Sequence, residues 1–334
     1  MKKPTNTSSP VAILGAGSWG SAVAIHLASR GQPVLLWGRD EQLISDMLKH
    51  RMNQRYLPNA PLPPSLTPTS SLDQCQSEAS ELIIAVPSHA FASLLPLLKK
   101  PTHGISWLTK GIDMAHHVLL SQLVGSLWGE DFSIAVISGP SFAKEVAQQL
   151  PTALVMAGNN PKYLKTIHNL LHHDNIRVYL TDDTIGVQLC GAVKNVLAIA
   201  CGISDGLNFG ANAKAALITR GLSEMSRLGM SLGARQETFM GLAGIGDLVL
   251  TCTDDQSRNR RFGLQLGQNV DIMTAEKSIG QVVEGKSNAI EVCTMAAIHH
   301  IEMPICEAVC ALLQGQISAK DAVAQLMRRP AREE

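Results

Sequence analysis

The feature that most constrains the fold is a glycine-rich motif between a short apolar run and a helical stretch near the start of the chain. The run VAILG occupies residues 11–15, and the motif GAGSWG occupies residues 15–20. A GxGxxG motif that follows a strand and opens a helix is typical of dinucleotide-binding βαβ units. The alternative is a glycine-rich turn that binds no ligand.

Each glycine of this motif has a predicted role in holding a dinucleotide. Gly15 allows the tight turn, Gly17 lets the backbone approach a pyrophosphate, and Gly20 lets the helix pack close to the strand. The free N–H groups and the positive end of the helix would then meet the phosphates. We therefore predict that these three glycines belong to a cofactor site.

Apolar runs recur through the first half of the chain and alternate with helical stretches. They are rich in β-branched or aliphatic residues and predict further strands at 33–38, 82–87, 105–111, 134–140, 152–158 and 176–181. Their near-continuous apolarity suits strands that are buried on both faces of a parallel sheet. The proline-rich segment 58–71 predicts a loop or an edge element, because proline cannot donate a backbone hydrogen bond.

The second half of the chain has a different texture. After about Thr184, strand-like runs give way to segments with helical spacing that contain alanine, leucine, methionine and glycine. A chain of 334 residues is also too long for one ordinary core. We predict an α/β Rossmann domain with a mostly parallel, doubly wound sheet over residues 1–188. An all-α domain over residues 189–334 is predicted to bind substrate and carry catalysis.

Composition argues against several classes of protein. The formal net charge is zero, whereas a nucleic-acid-binding protein normally carries a basic excess. The N-terminus MKKPTNTSSP lacks the apolar stretch of a secretory signal, and no run reaches the roughly 18 apolar residues of a membrane-spanning helix. Seven cysteines without CxxC spacing indicate a reducing compartment. We expect a cytoplasmic protein with no nucleic-acid partner, no membrane span and no metal.

The end of the second predicted strand bears on the choice of cofactor. A site specific for NAD usually places an acidic residue there to accept from the ribose 2′-hydroxyl group. This chain has Gly38 and Arg39, with Asp40 just beyond. Because an arginine can pair with a 2′-phosphate, we predict NADPH as the cofactor, with NADH possible. In the alternative, Arg39 stacks on the adenine and selects neither cofactor.

One lysine and one asparagine interrupt an otherwise apolar helical segment at residues 189–203. Burial of Lys194 would lower its pKa, and a lysine tuned towards neutrality can act as a general acid or base. Asn195 is its neighbour. The pattern alone leaves a second interpretation open, in which Lys194 extends to the surface and has no chemical role.

A second polar cluster lies in residues 241–263, after a glycine-rich turn. It contains Asp247, Ser257, Arg258 and Asn259. An N-cap serine, a guanidinium group and an amide suit a phosphate dianion, because helix N-termini and arginine both bind anions. The alternative for Arg258 is a solvated surface turn, which we expect for Arg260 and Arg261.

Two further segments end predicted strands at the edge of the sheet where open α/β sheets bind ligands. GPSFAKE, residues 139–145, couples a strand end to small residues and a helix. Lys110 ends another predicted strand and supplies a cation. Both segments are therefore candidates for the ligand site.

Taken together, these segments closely resemble the bacterial form of the NAD(P)-dependent glycerol-3-phosphate dehydrogenase family. The resemblance covers essentially the whole chain and rests on GAGSWG (15–20), LTKGI (108–112), GPSFAKE (139–145), residues 191–221, residues 241–263 and VVEG (282–285). It implies a Rossmann domain followed by a helical domain, commonly in a dimer. It also implies interconversion of glycerol 3-phosphate and dihydroxyacetone phosphate for phospholipid synthesis.

The resemblance further implies roles for individual residues. Lys194 is expected to accept the proton when glycerol phosphate is oxidised, and the expected substrate contacts are Lys110, Gly139, Ser141, Asp247, Ser257, Arg258 and Asn259. The expected cofactor contacts beyond the glycines are Ser18, Trp19, Arg39, Lys110, Ala143, Arg258, Val282 and Glu284. Asn195 and Thr251 are expected to be supporting polar residues.

Two rival functions follow from the same features. A β-hydroxyacid dehydrogenase would share the architecture and a lysine–asparagine pair, but it acts on carboxylates, whereas the SRN cluster at 257–259 favours a phosphate. A non-catalytic dinucleotide-binding regulator would keep the glycine motif but could dispense with Lys194 and Asp247.

Overall fold

A computed structural model describes residues 9–327 and divides the chain into two compact units. Of the described residues, one unit, here called the sheet unit, contains residues 9–109 together with Ser121–Asp182. The other, here called the helical unit, contains Lys110–Leu120 and residues 183–327. The division therefore comes earlier than the predicted boundary after residue 188, and an internal segment of the first half joins the second.

Asp183 explains why the helical unit begins where it does. One oxygen of its carboxylate accepts a 2.8 Å hydrogen bond from the backbone N–H of Gly186 and so caps the next helix. The other oxygen accepts a 2.9 Å hydrogen bond from the backbone N–H of Arg235. This side chain ties the first turn of the helix to a distant part of the same unit.

Within residues 9–327, the sheet unit is built on eight strands in one sheet. They are β1 Val11–Leu14, β2 Val34–Trp37, β3 Leu66–Thr69, β4 Glu81–Ile84, β5 Ile105–Trp107, β6 Ile134–Ser138, β7 Thr152–Gly158 and β8 Ile176–Thr181. Their order is β3-β2-β1-β4-β5-β6-β7-β8, and every neighbouring pair is parallel except the antiparallel pair β6 and β7. The first six strands have the Rossmann order, which confirms the predicted fold class.

The helices of the first half connect these strands and cover the sheet. They are α1 Ser18–Ser29, α2 Glu41–His50, α3 Leu72–Glu78, α4 Ser88–Leu94, a 3₁₀ turn Leu95–Leu97, α5 Leu120–Trp128, α6 Ala143–Ala147 and α7 Pro161–Leu171. Strand β1 is completely buried, as expected of a central parallel strand. The proline-rich segment forms the edge strand β3, where the missing N–H of Pro68 is tolerated.

The helical unit contains nine α-helices among the residues that the structure describes. They are α8 Thr184–Gly206, α9 Gly210–Ser231, α10 Gln236–Phe239, α11 Asp247–Thr253, α12 Arg258–Gly267, α13 Ile272–Ile279, α14 Glu284–Ile298, α15 Pro304–Leu313 and α16 Ala319–Met327. A π-helical turn, Leu242–Gly246, precedes α11. The prediction of a helical second domain is confirmed.

Helix α8 is the central element of this unit and packs against α9, α11, α12, α14 and α15. Its backbone comes close to that of α12, because a side chain at Gly202 or Gly263 would collide with a backbone carbonyl of the other helix. By length and composition alone α8 could cross a membrane, but 94% of its most apolar window is buried inside the protein. That burial is what the core helix of a folded domain shows.

Candidate active site

The glycine motif lies at the carboxyl end of β1, beside β4, where the strand order reverses. Open α/β sheets bind ligands at this switch point. Gly15 has φ of 138°, a conformation that favours glycine, and its N–H donates to the carbonyl of Trp37. A Cβ atom at Gly20 would collide with the carbonyl oxygen of Gly15, so glycine is required there for close packing of helix on strand.

Gly17 differs from Gly20, because a Cβ atom at Gly17 would meet nothing within 4 Å. Gly17 is also the N-cap of α1 and forms no side-chain cap, and the first turn contains no acidic residue. The first turn of α1 therefore offers N–H groups that no N-cap side chain binds, at the positive end of the helix dipole. This cradle fits a pyrophosphate, and Ser18 and Trp19 are the first residues of that turn.

Asn53 supports the glycine loop and was not anticipated from the sequence. Its amide nitrogen donates 2.9 Å to the carbonyl of Ala16 and 2.8 Å to Oγ of Ser21, and the residue is completely buried. Its amide oxygen accepts from the backbone N–H of Tyr56. No motif marks this asparagine, since it lies far from the loop in sequence.

Two charged residues, Arg39 and Asp40, lie between β2 and α2. Arg39 is exposed, and the neighbouring Asp40 caps α2 by accepting from the backbone N–H of Leu43. The second carboxylate oxygen of Asp40 lies 3.1 Å from Nη1 of Arg55. Asp40 therefore caps a helix and pairs with an exposed cation, while Arg39 beside it presents an exposed guanidinium group.

A buried polar cluster in the helical unit is centred on Asp247, the first residue of α11. Its carboxylate oxygens bind two lysines, with Oδ1 3.0 Å from Nζ of Lys194 and Oδ2 2.8 Å from Nζ of Lys110. Nζ of Lys194 also donates 2.9 Å to Oγ1 of Thr251, which in turn donates to the backbone carbonyl of Asp247. The cluster combines residues from α8, α11 and the segment Lys110–Leu120.

Electrostatics within this cluster tune the Lys194 amine. Burial lowers its pKa most strongly, Asp247 raises it, Lys110 lowers it, and the result is a pKa of about 8. For Asp247, burial acts to raise the pKa, but Lys110 and Lys194 outweigh it and the net pKa shift is downward. The cluster is thus an ionised carboxylate that holds two amines, one of which can exchange a proton near neutral pH.

Asn195 and Asn259 connect the elements around this cluster. The amide nitrogen of Asn259 donates 2.9 Å to the amide oxygen of Asn195, and its own oxygen accepts 2.9 Å from the backbone N–H of Gly285. The side chain of Asn259 thereby links its own helix, α12, to α8 and to the first turn of α14. The buried amide nitrogen of Asn195 has no hydrogen-bond partner within residues 9–327.

The start of α12 carries the predicted phosphate residues. Oγ of Ser257 accepts from the backbone N–H of Arg260 and caps the helix. Arg258 is half-buried, with Nη1 3.2 Å from Oε1 of Gln281. The prediction of a solvated Arg260 is wrong, because its side chain is buried and paired with Asp205 of α8.

The remaining predicted residues lie at the starts of two helices and at the end of one strand. In the sheet unit, Gly139 follows β6 with φ of 116°, Oγ of Ser141 donates 2.9 Å to its carbonyl, and Ala143 begins α6. In the helical unit, Val282 is exposed and Glu284 begins α14. Within the described part of the chain, no group of three or more potential metal ligands occurs, and the absence of a metal stays a prediction.

Comparison with known proteins identifies the family. The protein-family model described as NAD-dependent glycerol-3-phosphate dehydrogenase N-terminus matches residues 10–164 of this chain. The family model for the C-terminus of the same enzymes matches residues 183–324. The chain belongs to the NAD-dependent glycerol-3-phosphate dehydrogenase family. This membership confirms the resemblance and identifies an NAD(P)-dependent oxidoreductase.

Individual relatives of the NAD-dependent glycerol-3-phosphate dehydrogenase family match nearly the whole chain. Glycerol-3-phosphate dehydrogenase (NAD(P)+) of Legionella pneumophila (strain Lens) is 64% identical over 324 residues, which cover 97% of this chain and 98% of that protein. The enzyme of the same name from Tolumonas auensis is 50% identical over 96% of this chain and 97% of its own. The crystal structure of glycerol-3-phosphate dehydrogenase from Coxiella burnetii superposes with a TM-score of 0.93 at 48% identity and covers 96% of this chain and 99% of that one.

Proposed function

We propose that the chain reduces dihydroxyacetone phosphate to sn-glycerol 3-phosphate with NADPH, catalyses the reverse oxidation, and supplies glycerol 3-phosphate for phospholipid synthesis. The observation that carries this proposal is the buried Lys194 amine, which is held by Asp247 and Thr251 and has a pKa of about 8. When bound, the nicotinamide supplies the hydride. The site residues named below are candidates for the remaining steps.

Lys194 is the proposed general acid. Hydride addition to the carbonyl carbon leaves negative charge on the carbonyl oxygen, and a protonated Nζ stabilises that charge and then donates its proton. In the reverse direction the neutral amine accepts the proton of the hydroxyl group. Asp247 keeps the amine oriented and raises its pKa against the effect of burial, while Thr251 accepts from the same amine and restricts its position.

The phosphate end of the substrate is assigned to the start of α12 and to Lys110. Arg258 supplies a guanidinium group at a helix N-terminus, and such a terminus adds N–H donors and a favourable dipole. Asn259 links α8 to α12 and so fixes Arg258 relative to the neighbour of Lys194. Binding energy at the phosphate would hold the reacting carbon in position.

NADPH is favoured over NADH because of the residues after β2. Arg39 is exposed at the place where a site specific for NAD usually has an acidic residue, and its guanidinium group can pair with a 2′-phosphate. Ser18 and Trp19, in the uncapped first turn of α1, are proposed to contact the same cofactor, as are Ala143, Val282 and Glu284. We further propose a cytoplasmic homodimer; the seven free cysteines support a reducing compartment.

The deciding experiment measures NADPH oxidation by the purified protein on addition of dihydroxyacetone phosphate. Dihydroxyacetone without the phosphate serves as the matched control, and 3-hydroxyisobutyrate with NADP⁺ tests the β-hydroxyacid alternative. We expect turnover with the phosphorylated substrate and kcat/KM lower by at least about 100-fold without the phosphate. Equal rates with and without the phosphate, or turnover of the carboxylate alone, would contradict the proposal.

A further inference from the structure

The segment Lys110–Leu120 connects β5 to α5 but packs with the helical unit. Its first residue, Lys110, reaches Asp247, so the placement of this segment determines where one of the two lysines lies. Within the segment, an antiparallel bridge joins Ile112 to Leu119, and Oδ2 of Asp113 accepts 2.8 Å from the backbone N–H of His116. The segment is therefore a closed loop with internal hydrogen bonds.

A second polar contact attaches this loop to the helical unit. Nδ1 of His117 lies 3.2 Å from Oε2 of Glu291, a residue of α14 that is almost completely buried. His117 has φ of 55°, in the left-handed region, so its backbone is held in a conformation that few side chains favour. A buried carboxylate is costly without a partner, which makes this contact a specific attachment.

Helix α14 joins this attachment to the proposed ligand site. Glu284 begins the helix, and Glu291 follows seven residues later, two turns along the same face. The loop is thus fixed at Lys110 against α11 and at His117 against α14.

We propose that His117 and Glu291 are positioning residues that hold the Lys110–Leu120 loop so that Lys110 remains on Asp247. Neither residue is assigned contact with substrate or cofactor. The kinetic test of this inference rests on the proposed function, because it uses dihydroxyacetone phosphate as substrate. The order of the loop itself can be measured in the ligand-free protein.

The matched variants are His117→Gly and His117→Asn. Glycine accepts the positive φ and removes the side chain, whereas asparagine also tolerates that φ and places an amide nitrogen where Nδ1 lies. We expect His117→Gly to speed hydrogen–deuterium exchange in the peptide covering residues 110–120 of the ligand-free protein, and His117→Asn to restore slow exchange. Unchanged exchange in His117→Gly would overturn the proposal.

A double-mutant cycle tests whether His117 acts through Lys110. We expect His117→Gly alone to raise KM for dihydroxyacetone phosphate about ten-fold. In a protein that already carries Lys110→Ala, the same substitution should raise KM less than about two-fold, since the effects of substitutions at coupled residues do not add. Equal effects in both backgrounds would show a general structural role and refute the inference. If His117→Gly fails to fold, Glu291→Ala, which removes the other side chain of this contact, is combined with Lys110→Ala in the same double-mutant cycle. If the wild type does not reduce dihydroxyacetone phosphate, the proposed function fails, while the exchange measurement still decides this inference.

Discussion

Lys194 and Asp247 are 53 positions apart in the chain, yet Nζ of the lysine lies 3.0 Å from Oδ1 of the aspartate, and both side chains are buried. Removal of the amine should leave the carboxylate paired with Lys110 but should abolish proton transfer. We expect Lys194→Ala to lower kcat by about 10²–10⁴-fold while the protein still binds NADPH. Steady-state kinetics and fluorescence titration test this, with the exposed Lys165→Ala as control. A wild-type kcat in Lys194→Ala would remove the assignment.

The pKa of Lys194 predicts opposite pH profiles for the two directions of reaction. Reduction needs the protonated amine, so its kcat/KM should fall as the pH rises through about 8. Oxidation needs the neutral amine, so its kcat/KM should rise over the same range. The measurement is kcat/KM in both directions, because this ratio reports the pKa of the free enzyme, and parallel profiles would contradict the role of Lys194.

Two substitutions in the cluster should move this midpoint in opposite directions. Asp247 raises the pKa of Lys194, whereas Lys110 lowers it. Asp247→Asn should therefore shift the fall in the reduction profile to lower pH, and Lys110→Ala should shift it to higher pH. Each variant serves as the control for the other, and shifts of the same sign would show that the cluster does not set this pKa.

The two glycines at the start of α1 should respond differently to alanine. A Cβ atom at Gly17 meets open space, whereas one at Gly20 collides with the backbone of Gly15. We expect Gly17→Ala to keep the melting temperature of the ligand-free protein and to weaken NADPH binding about ten-fold or more. Gly20→Ala should lower the melting temperature. Tight NADPH binding by Gly17→Ala would mean that the pyrophosphate does not approach this residue.

Arg39→Ala tests how the cofactor is selected. Loss of a cation at the 2′-phosphate should weaken the binding of NADPH about ten-fold and leave the binding of NADH nearly unchanged. Dissociation constants of both cofactors measure this, and Lys49→Ala, which removes an exposed cation from α2, is the control. An unchanged ratio of the two constants in Arg39→Ala would show that Arg39 does not distinguish them.

Glu224 predicts a pH-dependent stability that is independent of catalysis. Its carboxylate accepts from the backbone N–H groups of Ile305 and Cys306, but burial dominates and raises its pKa to about 7. The folded state then binds the proton of Glu224 more tightly than the unfolded state does. The contribution of Glu224 to the free energy of unfolding is therefore fully present below about pH 4.5 and is lost as the pH rises through about 7. Glu224→Gln should flatten this decline of at most about 3 kcal/mol in thermal melts between those pH values. An unchanged slope would contradict the assignment.

The local elements of this protein could be predicted from its sequence. Continuous apolar runs identify β1 and the other strands because central parallel strands are buried on both faces. The glycine motif predicts the turn before α1 because few other residues allow its backbone. The uniform apolarity of α8 likewise makes Lys194 conspicuous, since a lysine is costly to bury.

Long-range partners could not be predicted in the same way. Lys110 and Asp247 are 137 positions apart, and no local pattern in either segment specifies the other. Asn53 has no motif around it, and the burial of Arg260 depends on Asp205 of another helix.

The sequence by itself determined which residues form strands and helices, where the glycine turn lies, and which cation stands in an apolar helix. These are properties of short segments, governed by side-chain periodicity and backbone sterics. Only the tertiary structure decided that Asp247 holds two lysines and that the loop from Lys110 packs with the helical unit. Charge pairing and desolvation depend on distances in space, and those distances exist only once the helices have packed.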